Sequence, residues 1–164
     1  MNNVDFSKVE SAKQMKGDNE HDTELLRQML REAQAYLSAF DWCEAIRESY
    51  FGLGVGGVVA VFLFQIIPRR EGIDEWLWVV VGDLPPAYLV TDENPTPVSA
   101  LEAYIEEMKA WIAAAEEGRS IEDLVPVNVP PTHENVEGLK RRLTFLNTEI
   151  IPRYISQRSP DSIQ

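Results

Sequence analysis

Asp74–Asp92 reads D-E-W-L-W-V-V-V-G-D-L-P-P-A-Y-L-V-T-D, and its reading decides the fold. From Trp76 the side chains alternate: Trp76, Trp78, Val80 and Gly82 fall on one face of an extended strand, and Leu77, Val79 and Val81 on the other. Both faces are apolar, so the strand belongs inside a sheet and is covered on both sides. Gly82 ends it. Pro85 and Pro86 lack the N–H that a sheet ladder needs, and Ala87–Thr91 resumes as a short second extended run.

Upstream lies Tyr50–Ile67, eighteen residues without a charge. Three readings compete for it. Its length suits a membrane-spanning helix, and Gly52 and Gly56 have helix-dimer spacing. Gly52, Gly54 and Gly57 also match the dinucleotide fingerprint G-x-G-x-x-G. That fingerprint must follow a strand and open a helix, whereas here a β-branched and aromatic run follows. The third reading is a glycine-rich approach to a buried strand, Val58–Ile67. Pro68–Ile73 then forms a charged connection to the Trp76 strand, and the two strands pair antiparallel. A membrane span would leave the Trp76 strand without a partner for its backbone groups. The hairpin is therefore preferred, with the glycines allowing a turn or a close approach.

Helical patterns flank these strands. Asp22 or Thr23 can cap a helix with an apolar stripe through Leu25, Leu26, Met29, Leu30, Ala33, Tyr36, Leu37 and Phe40. Asp41-Trp42-Cys43-Glu44 resembles a capping box and predicts a short second helix to about Ser49. Thr96-Pro97 opens a helix with Leu101, Tyr104, Ile105, Met108 and Trp111 on one face, stopped at Gly118. Val125–Pro131 is extended because its prolines block a helix. Thr132 caps a last helix carrying Val136, Leu139, Leu143, Leu146 and Ile150, with Lys140, Arg141 and Arg142 on its exposed side and Pro152 at its end. Consecutive strands without helical crossovers make the class α+β. The expected architecture is a small antiparallel sheet of two to three strands, packed with amphipathic helices from both ends of the chain. A polar N-terminal tail over 1–19 and a frayed tail over 155–164 bracket a single domain at 20–154.

The chain has 164 residues and a formal net charge of −12. That charge speaks against a nucleic-acid or anionic-membrane partner and favours a basic protein partner. The acidity is concentrated: residues 91–123 hold nine acidic and two basic side chains. Cys43 is the only cysteine, which excludes an internal disulfide and fits a reducing cytoplasm. The N-terminus lacks the apolar core of a signal peptide.

Residues 76–111 resemble a family of small uncharacterised bacterial proteins whose shared block has tryptophans in a strand, then Gly-Asp-Leu-Pro-x-x-Tyr, a proline-containing loop and a helix ending near a tryptophan. The matching positions are Trp76, Trp78, Gly82, Asp83, Leu84, Pro85, Tyr88, Pro97 and Trp111, with Trp42-Cys43 as a further match upstream. The family tends to have the two strand tryptophans adjacent, whereas Leu77 separates them here. The resemblance implies a bacterial, cytoplasmic protein and brings no activity with it.

Candidate chemistry is sparse. Cys43 and His133 are the one thiol–imidazole pair available, yet a lone cysteine beside Trp42 on an apolar stripe is more often a small buried hydrophobe. The two histidines lie far apart with no paired cysteines, so no metal is expected, and no cofactor either. Asp83 is either a turn-former accepting backbone N–H groups near Leu84 or a ligand-binding carboxylate. Trp76, Trp78, Asp83 and Tyr88 form the candidate ligand-binding set. Two functions follow: a non-catalytic binding or regulatory protein, or a small hydrolase with a site near Asp83, Tyr88 and Cys43. No coherent nucleophile, base and acid set is visible, which favours the first.

Overall fold

A computed structural model describes residues 3–124, 127 and 129–155. It is an α+β structure with a single antiparallel sheet of five strands in chain order. The strands are β1 (Glu10–Ser11), β2 (Cys43–Val55), β3 (Val59–Pro68), β4 (Trp76–Gly82) and β5 (Ala87–Val90), and the helices are α1 (Glu20–Ser38), α2 (Pro97–Glu117) and α3 (His133–Phe145). The chain falls into two compact units, Met1–Ala100 and Leu101–Gln164.

The first unit holds the sheet. β3 and β4 are the expected hairpin, registered from Val59 opposite Gly82 to Gln65 opposite Trp76. β4 pairs with β5 on its other side, Trp78 facing Leu89 and Val79 facing Tyr88. Both faces of this central region are buried, as the doubly apolar pattern requires. On one face Ala60, Phe62, Phe64, Leu77, Val79 and Val81 form a core with Leu26, Met29, Ala33 and Leu37 of α1. On the other, Val61, Leu63, Trp78, Val80 and Leu89 are buried. Such side chains, each worth about 1.5–3 kcal/mol when fully buried, dominate the stability of the hairpin.

Two expectations fail, and together they account for the missing strands. The helix expected over Asp41–Ser49 is the first half of β2. The apparent capping box at Asp41-Trp42-Cys43-Glu44 is a turn instead, in which Cys43 N–H donates to Phe40 O at 3.2 Å. Irregular register between Cys43 and Ala45, Ile46 and Glu48, and Phe51 and Leu53 explains why alternation was invisible there. Each bulge inserts a residue and resets the period of two. The stretch expected as a loose tail, in turn, contributes β1, whose Glu10 and Ser11 face Phe51 and Tyr50. Met15, which follows, is 2% exposed.

The glycine run of Tyr50–Ile67 is neither a helix-dimer motif nor a phosphate loop. Gly52 and Gly54 lie in β2, and Gly56-Gly57-Val58 is the turn into β3. A Cβ on Gly54 would lie 2.9 Å from Leu26 Cδ2, and one on Gly56 2.6 Å from Asp22 Oδ1. The glycines let α1 lie directly on the hairpin tip. Asp22 fastens it there, its carboxylate accepting Gly56 N–H at 2.7 Å and Asp18 N–H at 2.8 Å. With Asp22 so engaged, Asn19 caps α1 by accepting Asp22 N–H at 2.8 Å. Thr23, the other cap expected, accepts Gly17 N–H instead.

α2 begins as read. Thr96 Oγ1 accepts Ser99 N–H at 3.1 Å and Ser99 Oγ accepts Thr96 N–H at 3.0 Å, a reciprocal cap. Gly118 follows its last turn with φ +69°. In the second unit Thr132 caps α3 by accepting Asn135 N–H. Pro152 does not end that helix: a π-turn at Leu146–Ile150 leads into a further helical stretch over 151–155. Proline lacks an N–H and its ring crowds the carbonyl four residues back, here Thr148. Widening the turn relieves both, and Thr148 Oγ1 donates to Thr144 O at 2.9 Å. Parts of the expected extended stretch (125, 126 and 128) and of the C-terminal tail (from 156) lie outside the described residues. Among the described residues, no helix is long and apolar enough to cross a membrane.

Candidate functional site

The register of β3, β4 and β5 places the four candidate residues in three different environments. Trp78 is fully buried, and its indole Nε1–H donates to Asn94 O at 2.8 Å. Asn94 Nδ2 in turn donates to Val90 O at 3.0 Å, so Trp78 ties down the segment leaving β5. Its polar tip is spent on the backbone, as buried tryptophans require.

Trp76 shares that face but sits at the strand's start, half-buried. Phe6 meets it edge-on with centroids 5.2 Å apart, and Tyr50 lies 6.0 Å away. Phe6 also touches Tyr50 at 5.8 Å.

Tyr88 points to the opposite face, the one bearing α1, because it stands across from Val79. It is 37% exposed and packs edge-on against Phe40 at 5.3 Å and Trp42 at 5.2 Å. Phe40 and Trp42 stack at 4.9 Å, and Tyr36 meets Phe40 at 5.2 Å. Val90, 41% exposed, continues the same face of β5. Asp41, between Phe40 and Trp42, pairs with Arg70 at 3.7 Å on the rim. Four aromatic side chains thus form one partly exposed patch with a charged edge. Of these four, sequence reading placed only Tyr88 in the candidate ligand-binding set; Tyr36, Phe40 and Trp42 read as apolar helix positions, and no spacing signal joined them to Tyr88.

Asp83 is exposed just past β4, where its backbone N–H donates to Val58 O at 3.0 Å. Gly82 makes this possible. Its φ is +146°, and a Cβ there would lie 2.3 Å from Val58 O. The Gly-Asp pair therefore clamps the end of β4 against the β2–β3 turn.

Cys43 is buried in the α1-side core, opposite Pro68, with its thiol 3.8 Å from Ala45 O. Burial pushes the thiol pKa up, and the Arg69 charge offsets this only in part. A protonated, enclosed thiol is a poor nucleophile. Asp83 and Cys43 also lie at opposite ends of β3, since Val59 faces Gly82 and Pro68 faces Cys43. At about 3.3 Å per residue, that strand keeps them roughly 30 Å apart.

An open groove of about 780 Å³ lies at the start of α1, lined by Lys16, Gly17, His21, Glu24 and Arg27 among others. It carries charges of both signs, and Glu24 already pairs with Arg27 and Arg31. Among the described residues, no three His, Cys, Asp or Glu side chains gather to hold a metal ion. Compared with known protein families, curated proteins and solved structures, the chain matches none of them.

Proposed function

We propose that this chain is a non-catalytic binding protein, acting in a bacterial cytoplasm, that docks a protein partner on the patch formed by Tyr36, Phe40, Trp42 and Tyr88. The observation that carries this reading is the patch itself: four touching rings, partly open to solvent, on a helix end and a sheet strand. Rigid aromatic side chains with a charged rim are the usual anchors of protein interfaces, because they bury much area at little entropic cost. The net charge of −12 favours a partner whose surface is basic around an apolar centre. Support for a hydrolase is weaker, since Asp83 and Cys43 are held at opposite ends of β3. The resemblance of residues 76–111 to small bacterial proteins supports the cellular setting.

Native mass spectrometry of the protein isolated from its own host tests this. Wild type should retain a stoichiometric protein, and Tyr88→Ser should lose it by about tenfold or more in affinity, as hot-spot truncations do. Retention of the same partner by Tyr88→Ser and by Trp42→Ala would reject the patch as the docking surface.

A further inference from the structure

The N-terminal segment crosses the sheet in an unusual way. Phe6 lies on the Trp76 side, Glu10 and Ser11 pair with the edge of β2, and Met15 is buried in the core on the α1 side. The segment wraps the β2 edge like a strap. Its hold is slight before Met15. Two short 3₁₀ turns, Phe6–Lys8 and Ala12–Gln14, bury no residue. β1 pairs two residues of a strand that runs from Cys43 to Val55. Phe6 remains 42% exposed even though its ring touches both Tyr50 and Trp76. At its start the strap adds two hydrogen bonds to the segment after β5, from Asp5 N–H to Pro95 O and from Asn3 Nδ2 to Asp92 O. Elements with so little buried surface open locally, well below the free energy of global unfolding.

What the strap sits on is built more firmly. Tyr50 and Trp76 stand on β2 and β4, whose ladders run through β3. Beside them, β2 offers backbone groups for strand addition at Tyr50 and Phe51. Farther along, bulges and the exposed Glu44, Arg47 and Glu48 discourage pairing. Strand addition is thus confined to one place, and an aromatic seat lies beside it. Such a combination of main-chain pairing and a side-chain seat is how sheet edges recognise peptides.

We propose that residues 3–14 are a displaceable strap occupying a peptide-binding seat, and that the seat takes an extended segment of another protein that carries an aromatic residue four positions before the paired dipeptide. The occupant is identified by the one seated there now: Phe6 precedes Glu10 by four residues. Its charges balance, with Asp5 and Glu10 against Lys8 and Lys13, so apolar and backbone contacts supply the recognition. Met15 keeps the released strap tethered, and a tether of this kind competes at millimolar effective concentration. An incoming segment must outbind that, so the strap sets a threshold for occupancy. This inference is independent of the Tyr88 patch.

The test uses full-length protein and a fluorescent peptide of residues 3–15. Wild type should bind it weakly, because its own strap is in place. Phe6→Ala should bind at least tenfold more tightly, and adding Trp76→Ala should abolish the gain. Glu10→Pro, which breaks the ladder and leaves the seat intact, should give the same gain. If both Phe6→Ala and Glu10→Pro bind the peptide no better than wild type, or if Trp76→Ala leaves binding unchanged, the proposal is wrong. Hydrogen exchange on wild type checks it without substitutions: the Glu10 and Ser11 amides should exchange by local opening, far faster than those of Phe62 and Phe64. Exchange of all four only through global unfolding would also overturn it.

Discussion

The two ends of β3 obey different rules. At the Val59 end the chain turns through Gly56-Gly57-Val58 beneath α1, and Gly82 and Gly56 have no space for a Cβ. At the Pro68 end it turns through residues 69–75, mostly exposed and charged, where a Cβ on Gly72 meets nothing within 4 Å. One end is a packing site made of backbone; the other is a loop that needs only a residue tolerant of φ +88°. A glycine therefore carries different information at the two ends, and the contrast is measurable.

Gly82→Ala should have the largest effect. It combines a positive φ with a Cβ 2.3 Å from a backbone oxygen that cannot move without breaking the Asp83–Val58 bond. Urea melts should show a loss of about 3 kcal/mol or more. A loss below that of Gly72→Ala would erase the distinction between the ends.

Asp22→Ala comes next. It leaves Gly56 N–H and Asp18 N–H without their acceptor, and hydrogen bonds to charged groups are worth about 1.5–3 kcal/mol. Asp22→Asn, with a single carbonyl oxygen, should fall between Ala and wild type in the same melts.

Cys43 probes the open end, since it faces Pro68. Cys43→Ala should cost about 1–2 kcal/mol as a small core truncation. Its raised pKa predicts slow alkylation of the native thiol at neutral pH, rising only above the ordinary thiol range and becoming fast on unfolding. Fast native labelling at neutral pH would show that this end of β3 is looser than its packing implies.

Gly72→Ala should be mildest, about 1 kcal/mol for a left-handed alanine with free space around it. Gly72→Asn should recover part of that, because asparagine tolerates the conformation better.

The same contrast explains what could be read from the sequence. β4, β5, the β3–β4 hairpin and the start of α2 were legible because each carries its signal in consecutive residues: Trp76–Val81 by alternation, Thr96-Pro97 by cap chemistry. β2 was hidden by three interruptions of its alternation, and an accidental resemblance of Asp41–Glu44 to a capping box filled the gap. β1 is two residues long, too short to have a period. The glycine run announced close approach without saying to what; only the fold brings Asp22 and Leu26 to it. For the candidate site, Trp76, Trp78 and Tyr88 were visible as residues, but alternation across β4 and β5 sends Tyr88 to the other face. Phe40 and Trp42 become its neighbours through the turn after α1, which no spacing rule encodes.

The five strands lie in the sheet in the order in which they occur in the chain. From β2 onward each ladder therefore closes a short loop before the next begins; only the two-residue β1 waits, because α1 lies between it and its partners Tyr50 and Phe51. Loop-closure entropy is lost in small steps, the condition under which chains fold fast for their β content. During synthesis, β3 and β4 can zip onto β2 as soon as Gly82 clears the ribosome, and β5 needs only a few residues more. Unpaired strand edges, the usual route to aggregation in nascent β proteins, would then be exposed only briefly.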